Sequence, residues 1–197
     1  WADDIADLIP RLSNGPVYLA GHSLGGWVTA AVAAEHPELV SKAILVEPYS
    51  GANSEVRKQA RQRPSEERGR RAREIRDAAT PNDLIQAVAE QYEGASEDSI
   101  RRIAQMWFQM DPALEEGPIS RAEDTETFDD MFSSIECPTL MIAGAADKGG
   151  IMSKEESERV IGLIPDSRLL TWPKVGHSPH IARNHDFIRA TKRFCTE

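Results

Sequence analysis

The sequence predicts an α/β protein, a mostly parallel sheet flanked by helices, with an all-helical segment inserted between two of its strands. Three observations carry that expectation. The apolar run PVYLA (16–20) leads through GHSLGG (21–26) into WVTAAVAAEH (27–36), which reads as strand, tight turn and helix. Later short apolar runs at about 42–47, at 137–144 (CPTLMIAG) and at 167–172 (SRLLTW) have the length and composition of buried strands. From about 50 to 133 the pattern is helical alone, over a span too long for a loop.

Composition narrows the class of function. A chain of 197 residues, 40% hydrophobic and 28% charged, buries one substantial core and has no signature of disorder. Its net charge of −9 argues against nucleic acid or an anionic membrane as the main partner. No apolar run approaches the length of a membrane span. Cys137 and Cys195 are too few for a disulfide framework and are expected to be bland thiols, which points to a reducing, cytoplasmic setting. There is no H-E-x-x-H and no cysteine pair at metal spacing, so the sequence offers no metal motif of these kinds.

Taken in order, residues 1–12 place Ile5, Leu8, Ile9 and Leu12 on one side and Asp3, Asp4 and Asp7 elsewhere. This suits an amphipathic helix that Pro10 is expected to kink or shorten. Ser23 sits at the tip of the next turn, where the backbone must be strained, and Gly21 and Gly25 are expected to permit close approach of neighbouring chain. The amide of Leu24, opening the following helix, points where a negative oxygen would develop. The second strand ends at Glu47.

Helical patterns then cover 56–79, 81–92 and 96–110. Thr80 before Pro81 and Asn82 starts the second of these, and Ser96 before Glu97 and Asp98 the third. The arginines from Arg57 to Arg76 are interleaved with Glu66, Glu67, Glu74 and Asp77, which predicts a solvated, self-paired face rather than an anion site. The acidic stretch 111–130 is expected at the surface. Ile100, Ile103, Met106 or Trp107, and Met110 share one helix face, either as a local core or as an apolar wall. A capping box at Ser153 and Glu156 opens a helix to about Ile164, and a closing helix covers 184–195. Among the five histidines, His22, His36 and His185 are expected to be structural. That leaves His177 and His180, three residues apart, without a structural assignment.

The turn GHSLGG in its strand and helix context resembles the nucleophile elbow of the α/β-hydrolase family, Ser-Asp-His type with a helical cap. The resemblance implies a hydrolase core at 1–49, a cap at 50–133 and the rest of the core at 134–197. It implies Ser23 as nucleophile, His177 after Gly176 as base, and Asp147 of the pattern Gly144 to Asp147 as acid. Glu47 is the alternative acid, because some members of the fold place it after that strand. Leu24 becomes an oxyanion donor, and His22, Met106, Trp107 and Met110 candidate pocket residues. The implied reaction is cleavage of a small, hydrophobic ester or lactone through an acyl-enzyme, without a cofactor. Carbon–carbon bond hydrolases and perhydrolases share the same triad, and receptor-like relatives keep the fold with weak or no turnover. A serine at the elbow speaks against the family's dehalogenases and epoxide hydrolases, which use aspartate there.

In that family four more strands and a helix precede the segment at 1–12, roughly 60 to 80 residues. The sequence is therefore expected to be the C-terminal part of such a fold, completed by an N-terminal segment or a second chain, with the strand at 16–20 exposing an apolar edge. The absent part would carry the second oxyanion donor, and losing one donor costs about 10² to 10³ in rate. Residues 1–197 alone are expected to turn over an ester far more slowly than the same residues joined to a preceding segment. Equal rates in the two assays would remove the argument.

Overall fold

The computed structural model describes residues 1–51, 69–92, 94–113 and 128–197. Among these residues four strands, β1 (Val17–His22), β2 (Val40–Val46), β3 (Thr139–Ala143) and β4 (Ser167–Thr171), form one sheet in the order β1-β2-β3-β4. All three pairings are parallel: Gly21 lies opposite Leu45, Val46 opposite Ile142, and Ile142 opposite Leu170. The helices are α1 (Ala2–Leu12), α2 (Leu24–Glu35), α3 (Arg70–Asp77), α4 (Ile85–Gln91), α5 (Glu97–Phe108), α6 (Asp129–Ser133), α7 (Lys154–Leu163), α8 (Pro179–Ala182) and α9 (Asn184–Thr196). Because every strand runs the same way, all four C-terminal ends open on one edge. The α/β architecture with a parallel sheet is as the sequence predicts.

Side-chain alternation along the strands builds a core on each face. Ala43 and Leu45 of β2 and Met141 of β3 point to one side, where they meet Ile9 of α1, Ala30 and Val32 of α2, Phe132 of α6 and Val160 of α7. Ile44 and Val46 with Leu140 and Ile142 point to the other, against Trp172, Val175 and Phe194 of α9. Residues 139–143 are buried throughout, which is why they read as an unbroken apolar run. A third core lies within the inserted helices, where Ile75, Leu84, Val88, Ile103, Ala104 and Trp107 pack together.

Local expectations fare unevenly. Pro10 does not end α1, which runs on to Leu12; so near the C-terminal end its missing N–H costs one bond in the last turns. Ser96 accepts from the Ser99 amide at 3.2 Å, and the Thr80 amide donates to Asp83 Oδ2 at 2.8 Å. At Ser153 half the capping box forms. The hydroxyl accepts from the Glu156 amide, but the Glu156 carboxylate takes Ser50 and Arg159 as partners instead. Of the arginine-rich face, Arg70 pairs with Glu74 and Glu90; its part at 57–68, with Glu66 and Glu67, lies outside the described residues, as does 114–127 of the acidic stretch. Cys137 is buried and Cys195 partly so, both free thiols, and burial pushes the Cys137 thiol up. Among the described residues no helix is long and apolar enough to cross a membrane.

The elbow needs glycine at two places, and only one is as expected. A Cβ on Gly21 would stand 1.9 Å from the Gly25 carbonyl oxygen and 2.5 Å from Thr29 Oγ1. At Gly26 it would come within 2.9 Å of Pro48 Cα, whereas at Gly25 it meets no described residue within 4 Å. The close approach is thus α2 lying on the end of β1 and on the chain after β2, and it falls at Gly21 and Gly26. Gly21→Ala should lower the thermal unfolding midpoint by several degrees or prevent folding. Gly25→Ala, which gains up to about 1 kcal/mol of helix propensity, should leave the midpoint unchanged or slightly raised. A Gly21→Ala protein that melts with the wild type would contradict this account.

Candidate active site

Ser23 joins β1 to α2 with φ 57° and ψ −119°, a backbone conformation that non-glycine residues rarely adopt. Main-chain bonds hold it there. Its amide donates to the Val46 carbonyl at 2.9 Å, and its carbonyl accepts from Gly26, Trp27 and Tyr49 at 3.0, 3.2 and 3.1 Å. The strain lifts the hydroxyl off the strand end. Leu24 is the first residue of α2, so its N–H has no intrahelical acceptor and is free to bind a negative oxygen.

The Ser23 hydroxyl meets an imidazole delivered from the far strand. After β4 the chain turns back across the end of β3: the Trp172 amide donates to the Ala143 carbonyl at 2.9 Å, and the Ala145 amide to the Val175 carbonyl at 2.7 Å. This crossing is tight enough that a Cβ on Gly144 would stand 2.2 Å from the Gly176 carbonyl oxygen. It brings His177 Nε2 to 2.9 Å from Ser23 Oγ. On the ring's other side, Nδ1 lies 3.4 Å from Glu47 Oε2.

Glu47 follows β2 directly and has φ 45°, the second positive-φ residue besides Ser23 that is not glycine among those described. Its side chain is 0% exposed. A buried carboxylate is costly unless hydrogen-bonded, and here Oε1 accepts from the Gly144 amide and Oε2 from the Ile151 amide, each at 2.6 Å. Asp147 is not at the imidazole. It sits on an exposed turn (Ala146–Lys148) and makes no hydrogen bond or ion pair with a described residue. The reason is the loop's own attachment. With the amides of Gly144 and Ile151 both turned onto Glu47, the chain between them, Asp147 included, bulges outward.

The other candidates divide. His22 donates from Nε2 to the His177 carbonyl oxygen at 2.6 Å, and its ring lies 4.5 Å from that of His177 and 4.4 Å from that of His180. Burial, then the neighbouring His177, hold His22 below its ordinary pKa; burial and both neighbours push His180 down to about 4. Trp107 and Met110, expected as pocket residues, pack into the core of the inserted helices, with the Arg71 guanidinium 4.8 Å over the indole. Met106 is 66% exposed. Periodicity identified their common face without saying what it meets. Missed in the sequence is a set of aromatic rings rooted on the elbow: Trp27 and Tyr49 both pack edge-on against Phe128, at 5.6 and 5.8 Å. Of metal-ligating side chains, the described residues group Asp3, Glu35 and His36 at the surface. That group is at the opposite end of α2 from Ser23, about 18 Å away along a helix of this length.

The chain matches the profile of the Alpha/beta hydrolase family over residues 1–190. It is 27% identical over 213 residues to a pimeloyl-[acyl-carrier protein] methyl ester esterase of Chromobacterium violaceum, covering 96% of this chain and 74% of that protein. It is 26% identical to a putative esterase/lipase of Haemophilus influenzae, covering 98% of this chain and 65% of the relative. A thermophilic esterase from Thermogutta terrifontis superposes with a TM-score of 0.67 at 25% identity, over 99% of this chain and 70% of that one. The chain thus spans about two thirds to three quarters of the length of these relatives. With that profile laid over a strained strand-to-helix serine and a histidine returning from the last strand, the chain belongs to the alpha/beta hydrolase family.

Proposed function

We propose that the protein is a serine hydrolase that cleaves a small, hydrophobic ester or lactone through an acyl-enzyme on Ser23. The observation that carries this reading is the 2.9 Å contact between Ser23 Oγ and His177 Nε2 at a strained elbow. Serine at its own pKa is a weak nucleophile and needs a base within hydrogen-bond reach. His177 Nε2 takes the Ser23 proton as Oγ attacks the carbonyl carbon; the carbonyl oxygen becomes an oxyanion that receives the Leu24 N–H. The imidazolium then protonates the leaving alkoxide, and the carbon–oxygen bond of the ester breaks. Water, deprotonated by the same nitrogen, attacks the acyl group and frees Ser23. Glu47, rather than Asp147, accepts Nδ1–H, holds the tautomer and stabilises the imidazolium. The aromatic rings at the elbow favour an apolar acyl or ring substituent. The names of the relatives, esterases among them, support an ester substrate.

In the whole protein, a fluorophosphonate probe should label Ser23 rapidly, and Ser23→Ala should abolish labelling. A folded protein that resists the probe would overturn the reading. Glu47→Gln should slow hydrolysis of p-nitrophenyl acetate by about 10³-fold or more, while Asp147→Asn stays within about three-fold of wild type, as expected of an exposed surface change. The reverse ranking, with thermal unfolding showing both variants folded, would reassign the acid.

A further inference from the structure

We infer that His22 is a positioning residue for this reaction: its imidazole ties the nucleophile elbow to the loop that carries the base, through the Nε2–H bond to the His177 carbonyl. The inference rests on the hydrolase reading above. His22 is the last residue of β1 and directly precedes Ser23, whereas His177 belongs to the loop after β4, across the sheet. The 2.6 Å contact therefore joins, in one bond, the two chain segments whose relative position sets the distance from Oγ to Nε2. A carbonyl oxygen can only accept, so the bond fixes the tautomer: His22 carries its proton on Nε2.

Apart from the Glu47 carboxylate at the ring's Nδ1, the loop bearing His177 is otherwise held from the β3 side. The Ala145 amide bonds to the Val175 carbonyl, and a Cβ on Gly176 would stand 2.0 Å from the Lys148 carbonyl oxygen, so the two loops are in close main-chain contact there. Towards β1, among the described residues, His177 receives the His22 bond at its carbonyl and the Ser23 hydroxyl at its ring. The second of these is the contact the reaction must break and remake at each turnover, so it cannot serve as the fixed attachment. His22 can, because its own ring is confined. It lies between the rings of His177 and His180, and His180 is backed in turn by Phe187 of α9 at 6.0 Å. Desolvation keeps both flanking-stack imidazoles, His22 and His180, depressed in pKa, which favours a neutral ring beside the base.

His22 touches no reacting atom in this scheme. It acts through His177, whose imidazole must stay within hydrogen-bond reach of Oγ during attack and again during deacylation. Misplacement of a reacting group by about 1 Å costs on the order of 10²-fold in rate. A residue of this kind lowers kcat when its bond is lost and leaves substrate binding nearly untouched, whereas a pocket wall changes KM.

The test uses the whole protein and compares His22→Phe, which keeps a ring and loses the donor, with His22→Gln, whose amide nitrogen stands the same number of bonds from Cα as Nε2. Both are measured for kcat and KM on p-nitrophenyl acetate, for the rate of fluorophosphonate labelling and for the thermal midpoint. H22F should lose about 10- to 10²-fold in kcat and in labelling rate with KM within about two-fold, and H22Q should recover most of the loss. Should H22F fail to fold, H22L supplies the donor-less side chain and the comparison with H22Q is the same. The inference is overturned if the donor-less variant matches wild type, if H22Q is as slow as the donor-less variant, or if the effect falls on KM alone. A labelled wild type with an unaffected H22F removes this inference and leaves the hydrolase reading standing. A wild type that resists the probe, like Ser23→Ala, overturns both.

Discussion

The carboxylate of Glu47 is the point on which the site depends. It is wholly removed from solvent, and two main-chain amides and one imidazole nitrogen surround it. Hydrogen bonds to charged groups are worth about 1.5–3 kcal/mol each, and a buried carboxylate stripped of them is strongly destabilising. The group therefore has two consequences at once. It draws the chain after β3 onto the end of β2, and it presents its remaining oxygen surface to His177. Its positive φ is the local cost of turning the side chain inward directly after the strand.

Strand order explains why this residue, and not one on β3, faces the His177 imidazole. The β1 end carries Ser23, and β2 is its hydrogen-bonded neighbour, about 4.8 Å away as adjacent strands are. The imidazole arrives from β4, the far strand, and has to cross the end of β3 to reach Ser23. The crossing is possible because neither Gly144 nor Gly176 presents a Cβ to the other loop. Once across, the ring stands over the end of β2. A glutamate there needs only its own length to reach Nδ1, while a residue four positions past the end of β3 is left on the outside of the turn.

Legibility in the sequence follows the range of the interaction. The elbow was readable because strand, turn and helix are contiguous, and the steric need for glycine at Gly21 is set by residues four and eight positions on. The two inner strands were readable because two-sided burial leaves a nearly unbroken apolar run, as in 139–143, while the outer two, half-exposed, still carry short apolar runs. Choosing between Glu47 and Asp147 was not a local question: the deciding bonds come from Gly144 and Ile151, about a hundred residues from Glu47. The same holds for His22, whose partner is 155 residues away. Periodicity placed Ile103, Met106, Trp107 and Met110 on one helix, but with Met106 open to solvent and Trp107 enclosed, only the packing of neighbouring helices separates them.

One further contact links the two halves of the molecule. Ile181 of α8, four residues after His177, packs into the core formed by Ile75, Leu84, Val88, Ile103 and Trp107, and Gly94 lies against the Ala182 carbonyl. The segment that follows His177 is thus packed against the inserted helices. The packing of that helical cluster and the path of the chain just after His177 are therefore joined at one point. On the hydrolase reading proposed above, ligand preference and turnover would share this one packed contact.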